Sequence, residues 1–149
     1  MKQNAIILVV LRCSSHPVEL RGMNGSFTSP DYPGHYPNNA RWSWQIVVPP
    51  GYNVRLSFYE FRTEEWFDRV RIVSKSVDLD QRYSGRVLIP TLHGGREVIV
   101  TFVSDASVTD TGFRAEYRTV PGASATPSPQ PPAIPPSNQT MPLPGKRRL

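Results

Sequence analysis

The chain has 149 residues, 17 Lys and Arg against 12 Asp and Glu, and a formal net charge of +5; this length suits one domain with a sizeable core. Between Cys13 and Val120 the charges balance, 12 against 12, and the excess comes from Lys2 and Arg12 at one end and Lys146, Arg147 and Arg148 at the other. A nucleic-acid footprint belongs on the folded body, so charge confined to the ends argues against nucleic acid as a partner.

Residues 1–12 place Lys2 ahead of the apolar run Ala5–Leu11, with Ser14 and Ser15 behind it. That is the layout of a short secretory signal. The run is short for one, Arg12 sits where a small residue is wanted, and an N-terminal strand is the alternative. No stretch approaches transmembrane length. The single cysteine, Cys13, excludes an internal disulfide and a Cys-rich zinc site. A lone cysteine also points toward a reducing compartment, against secretion.

The body, residues 13–120, reads as all-β. Trp42, Trp44, Ile46 and Val48 alternate with Ser43, Gln45 and Val47 until Pro49-Pro50-Gly51 ends the run. Val54, Leu56 and Phe58 alternate with Arg55, Ser57 and Tyr59, and Val70 and Ile72 with Arg69 and Arg71. Val98, Val100 and Phe102 form one face of a further strand, with Ile99 and Val103 on the other; Phe113, Ala115 and Tyr117 alternate with Arg114, Glu116 and Arg118. Period two puts one set inward and one outward. Short strands with Pro/Gly turns and no helical stripe predict an antiparallel two-sheet β-sandwich. The outward arginines read as a solvated face with cross-strand ion pairs, Glu116 among the partners, ahead of an anion-binding face.

Nine of the 29 residues from Pro121 to Leu149 are proline. Residues 121–149 cannot bury a core and are expected to form a disordered, extended Pro-rich tail. Asn24-Gly25-Ser26 and Asn138-Gln139-Thr140 are sequons, making Asn24 and Asn138 candidate glycosylation sites. Gly145-Lys146-Arg147-Arg148 reads either as a dibasic processing site or as a solvated basic terminus. His16, His35 and His93 lack metal-ligand spacing, and Ser104-Asp105 lacks a positioned His, so no catalytic triad is expected and the chain is read as a non-enzyme.

Several blocks recur in a familiar order. Gly25-Ser26-Phe27 precedes Ser29-Pro30-Asp31-Tyr32-Pro33 and Tyr36-Pro37. Trp44-Gln45-Ile46 leads to Pro49-Pro50-Gly51, and Leu56-Ser57-Phe58 to Phe61, Glu64 and Asp68-Arg69-Val70-Arg71-Ile72. Gly85 and Pro90 follow, and Phe102, Ser104-Asp105-Ala106-Ser107 and Gly112-Phe113-Arg114-Ala115-Glu116-Tyr117 close the body. Together they resemble the extracellular CUB domain, found in complement proteases, astacin-type metalloproteases, spermadhesins and neuropilins. The resemblance implies a spermadhesin-like jelly-roll sandwich. It departs at the cysteines: typical members have four in two disulfides, whereas here Cys13 fits the first position loosely and Trp42, Glu65 and Ser84 occupy the others. Trp42 is expected to fill space that a bridge would take.

The same resemblance implies a calcium site at one tip, with Glu64, Asp68 and Asp105 as ligands, Tyr36 in support, and backbone carbonyls and water near Ser107 and Val108 completing the shell. Calcium takes 6–8 oxygens in a flexible shell, and three acids gathered at one tip would repel each other without a cation. The plainer alternative is that Asp68 and Asp105 cap turns and Glu64 is solvated. The implied function is a non-catalytic, secreted recognition module. Its acidic, calcium-ordered tip would receive a Lys or Arg from an extracellular protein, with Tyr36 or Trp66 adding contact area. Alternatives are an accessory domain of an extracellular protease, a carbohydrate or glycosaminoglycan binder using Arg69, Arg71 and Arg114, and an intracellular interaction domain.

Overall fold

The computed structural model describes residues 16–123. The proposed signal segment, Cys13, Asn138 and nearly all of the Pro-rich tail lie outside them. Among the described residues the chain forms β1 (Val18–Arg21), β2 (Asn24–Thr28), β3 (Arg41–Val47), β4 (Tyr52–Arg62), β5 (Arg69–Ser74), β6 (Leu79–Tyr83), β7 (Leu92–His93), β8 (Glu97–Val103) and β9 (Gly112–Pro121), with one 3-10 turn over Lys75–Val77. These make two sheets, β1-β3-β8-β5-β6 and β2-β9-β4-β7. All pairings are antiparallel except β1 with β3, which is parallel.

The period-two runs account for both inner faces. Trp44 and Ile46 on β3, Val70 and Ile72 on β5 and Val98, Val100 and Phe102 on β8 point in from one sheet. Val54, Leu56 and Phe61 on β4 and Phe113, Ala115 and Tyr117 on β9 answer from the other. Phe113 is the hub: its ring lies 5.6 Å from Trp44, 5.6 Å from Phe58, 5.8 Å from Phe102 and 6.1 Å from Phe61. Such pairs, three edge-to-face and one stacked, add to simple area burial. Trp42 is half-buried and packs against this core.

One run departs from strict alternation. Phe61 would face outward if β4 kept its period from Val54, yet it is buried, while Tyr59 and Glu60 are both exposed. The register on β9 shifts between Phe58 and Glu60, a β-bulge. The extra residue returns Phe61 to the core and bends the end of β4 toward the tip.

Candidate metal centre

Three connections meet at one end of the sandwich: β2 to β3, β4 to β5, and β8 to β9. Gly112 has φ +79, a conformation that favours glycine, and its Cα side faces Ser29 and the Tyr36 ring. A side chain there would collide with Ser29, so this glycine lets β9 start beside the loop that delivers Tyr36. Ser29 fixes the junction: its N–H donates to the Phe113 carbonyl at 3.0 Å and its hydroxyl accepts the Phe113 N–H at 3.0 Å.

Tyr36 is 1% exposed and Asp68 fully buried. The Tyr36 hydroxyl donates to Asp68 Oδ2 at 2.6 Å and accepts the Glu64 N–H at 3.0 Å. The other Asp68 oxygen, Oδ1, accepts the Asp105 N–H at 2.8 Å. Asp105 Oδ1 in turn accepts the Ser107 N–H at 2.8 Å. Thr63, also buried, donates its hydroxyl to the Asp68 carbonyl at 3.1 Å and accepts the Gly85 N–H at 2.9 Å. A chain of bonds thus ties all three connections together.

Glu64, Asp68 and Asp105 converge, each offering an oxygen within 4.8 Å of the others. Glu64 Oε2 is buried and has no hydrogen-bond partner. Burial first, then the charges of Asp105 and Asp68, raise the Glu64 pKa above the ordinary carboxylate value. None of the ion pairs among the described residues involves Glu64, Asp68 or Asp105. Asp105 caps its own turn through Ser107, Asp68 instead accepts across the tip from Tyr36 and Asp105, and Glu64 is half-buried with Oε2 shut away from solvent. The donor set is all oxygen, anionic, and one member short of a partner, which suits a hard divalent cation.

The CUB domain family model matches residues 13–117. The chain belongs to the CUB domain family. It is 38% identical over 116 residues to a suppressor of tumorigenicity 14 protein homolog from Bos taurus, covering 76% of this chain and 14% of that protein. It is 34% identical over 132 residues to the Mus musculus mannan-binding lectin serine protease 1, covering 78% and 19%. Among solved structures, the extracellular region of zebrafish Gpr126/Adgrg6 aligns with TM-score 0.67 and 35% identity over 71% of this chain and 15% of that one. The calcium-bound MASP-1 CUB2 domain aligns with TM-score 0.61 and 26% identity, over 68% of this chain and 96% of that one. The chain spans only 11–26% of the curated relatives it matches. The CUB domain is a non-catalytic module that also occurs within proteases.

Two sequence expectations for this CUB domain need correction. Tyr36 cannot add contact area for a partner, because its ring is enclosed by Phe102 at 5.0 Å and its hydroxyl is committed to the acids. Arg69, Arg71 and Arg114 do not share a surface: Arg69 and Arg71 lie on β5 of one sheet, Arg114 on β9 of the other. Alternation distinguishes in from out but not one sheet from the other.

Thr63 and Ser84 were missed by sequence reading. Ser84 stands at a position where the family resemblance expects a cysteine. Its hydroxyl donates to the Glu64 carbonyl at 3.0 Å and accepts the Trp66 N–H at 2.7 Å, flanking Glu65, the other such position. The link that a disulfide would make is replaced by two hydrogen bonds. Trp66 follows with φ +74 and is 79% exposed; Ser107 and Val108, at the far side of the tip, are also exposed.

Proposed function

We propose that this CUB domain is an extracellular, non-catalytic recognition module whose tip is ordered by calcium held through Glu64, Asp68 and Asp105. Glu64 Oε2, buried among like charges with no donor, carries the reading. Backbone carbonyls around Ser107 and Val108, with water, would complete the oxygen shell. Calcium would offset the repulsion among the acids and fix the β4–β5 and β8–β9 loops together. Acidic oxygens still facing solvent would then receive a Lys or Arg from a protein partner. Trp66 is the contact aromatic: a non-glycine residue held at φ +74 with its ring in solvent is a strained feature of the kind found at functional surfaces. Secretion, with Asn24 as an exposed glycan acceptor, belongs to the same reading.

The test uses N-acetyl-lysinamide as the probe, with amide resonances recorded by NMR. Saturable shifts confined to residues 64–68 and 104–108 in calcium, absent in chelator while circular dichroism is unchanged, are expected. Equal shifts in chelator, or none in calcium, contradict the mechanism.

The relatives that include proteases, all far longer than this chain, favour one second reading, an accessory domain of an extracellular protease. A catalytic domain contiguous with this chain in the full transcript decides it.

A further inference from the structure

Strand β8 is apolar on both faces. Val98, Val100 and Phe102 fill the core, while Ile99 between them faces outward and is half-buried. Val73 lies directly opposite Ile99 on β5, and Val47 on β3 is its diagonal neighbour, paired with Glu97. Both valines are also half-buried. The three form the floor of a cavity of about 370 Å³ on the outer face of the β1-β3-β8-β5-β6 sheet. The solvated face of an antiparallel sheet is ordinarily polar, and a clustered apolar floor on it marks a docking surface. This cavity sits at the Glu97 end of β8, whereas the acidic tip lies beyond Val103 at the other end.

The chain leaves the sandwich beside it. The Gly122 N–H donates to the Gly51 carbonyl at 2.8 Å, and Gly122 and Ala123 line a second cavity, of about 310 Å³, together with Tyr52 and Val77. Ser76 and Arg96 line both cavities. Tyr52 and Val77 are exposed, so an apolar track runs from Ala123 past Ser76 and Arg96 to Ile99. From Arg96 to Ile99 the chain advances about 10 Å. Residues 124–145 carry no charge and include eight prolines. Ile134, flanked by Pro131-Pro132 and Pro135-Pro136, is the first large aliphatic residue after Ala123 and lies 11 positions beyond it. An extended segment of that length reaches about 34 Å, ample for a track of one cavity and about 10 Å of strand.

We infer that residues 131–136 dock in the Val47–Val73–Ile99 cavity, with the Ile134 side chain against Ile99. The rim carries both signs, Lys75 and Arg96 against Glu97. It therefore selects neither an acidic nor a basic ligand and suits an uncharged segment. Proline fixes φ, which cuts the entropy lost when an extended segment is ordered. Attachment to β9 makes the contact intramolecular, so a weak fit suffices. The docked segment covers the outer face of β8 and leaves the acidic tip open, and it does not depend on the calcium reading.

The experiment is NMR of the full chain, labelled on backbone amides and on Ile, Leu and Val methyls. Ile134→Ser should shift the resonances of Val47, Val73 and Ile99 and leave residues 64–68 and 104–108 in place. The reciprocal variant, Ile99→Thr, keeps a β-branched residue on the outer face and should move the Ile134 methyl resonances to their positions in a free peptide of residues 127–138. Leu143→Ser should change none of these. Melting by circular dichroism verifies that each variant folds. Val47, Val73 and Ile99 resonances unchanged in Ile134→Ser would overturn the assignment, as would equal shifts in Leu143→Ser. Shifts that vanish on dilution would make a second copy the occupant, and shifts produced by Ile7→Ser instead would make it the N-terminal apolar run; either result also overturns it.

Discussion

Tyr36 and Asp68 are joined by a buried 2.6 Å hydrogen bond from phenol to carboxylate, and the same phenol oxygen accepts the Glu64 N–H. Burial, then the bond to Asp68, raises the Tyr36 pKa well above its usual value, so the hydroxyl stays a donor at any physiological pH. One side chain thereby sets the spacing of two of the three acids. Tyr36→Phe keeps the ring against Phe102 but orphans Asp68 Oδ2. A loss of about 1–3 kcal/mol is expected, read by denaturant unfolding in chelator, together with weaker calcium uptake by calorimetry. Unchanged values for both would remove Tyr36 from the site.

The raised pKa of Glu64 gives a pH signature in metal-free protein. A carboxyl with a folded pKa above its unfolded value of about 4.3 binds more protons folded than unfolded in that window. Stability then falls as pH rises through the folded pKa. In chelator, wild-type melting temperature should fall as pH rises above about 4.3, and Glu64→Gln should flatten that slope and melt higher at neutral pH. Identical slopes in both proteins would show that Glu64 is not held among uncompensated charges.

Ser84 stands in for a covalent staple. Ser84→Ala removes both bonds to the backbone around Glu65, and a cost of about 1–3 kcal/mol is expected in thermal or urea unfolding. Glu65→Cys with Ser84→Cys should oxidise spontaneously and raise stability by about 3 kcal/mol, the scale for closing a loop of this length. A double variant that retains two free thiols under air would show that the two positions do not face each other.

Trp66 offers a test that separates fold from recognition. Its φ of +74 is costly for an aromatic residue and free for glycine. Trp66→Gly should therefore hold or raise stability, by about 1 kcal/mol, while weakening capture of a protein partner. A fall in melting temperature would instead mark the indole as a structural contact.

Much of this was legible in the residues. Alternation in 42–48, 54–58, 69–72, 98–102 and 113–117 marked five strands correctly, because each buries one face. It failed at Phe61, where a bulge resets the period, and it gave no signal for β1, β2, β6 or β7, the short edge strands of the two sheets. Glu64, Asp68 and Asp105 stood out through family resemblance. That Glu64 Oε2 is shut away from solvent and Asp68 spends both oxygens on neighbours depends on Tyr36 and Asp105 arriving from distant segments. The sheet that each arginine occupies is likewise a matter of topology: Arg55 meets Arg118 only because β4 and β9 pair.

Calcium uptake by the intact chain is the most direct measurement, made by isothermal titration calorimetry after chelator treatment, with Asp105→Ala beside the wild type. The expected result is a single saturable site, a rise in melting temperature with calcium, and loss of both in the variant. No heat of binding in the wild type, together with equal melting of wild type and Asp105→Ala in calcium, would contradict a calcium-ordered tip.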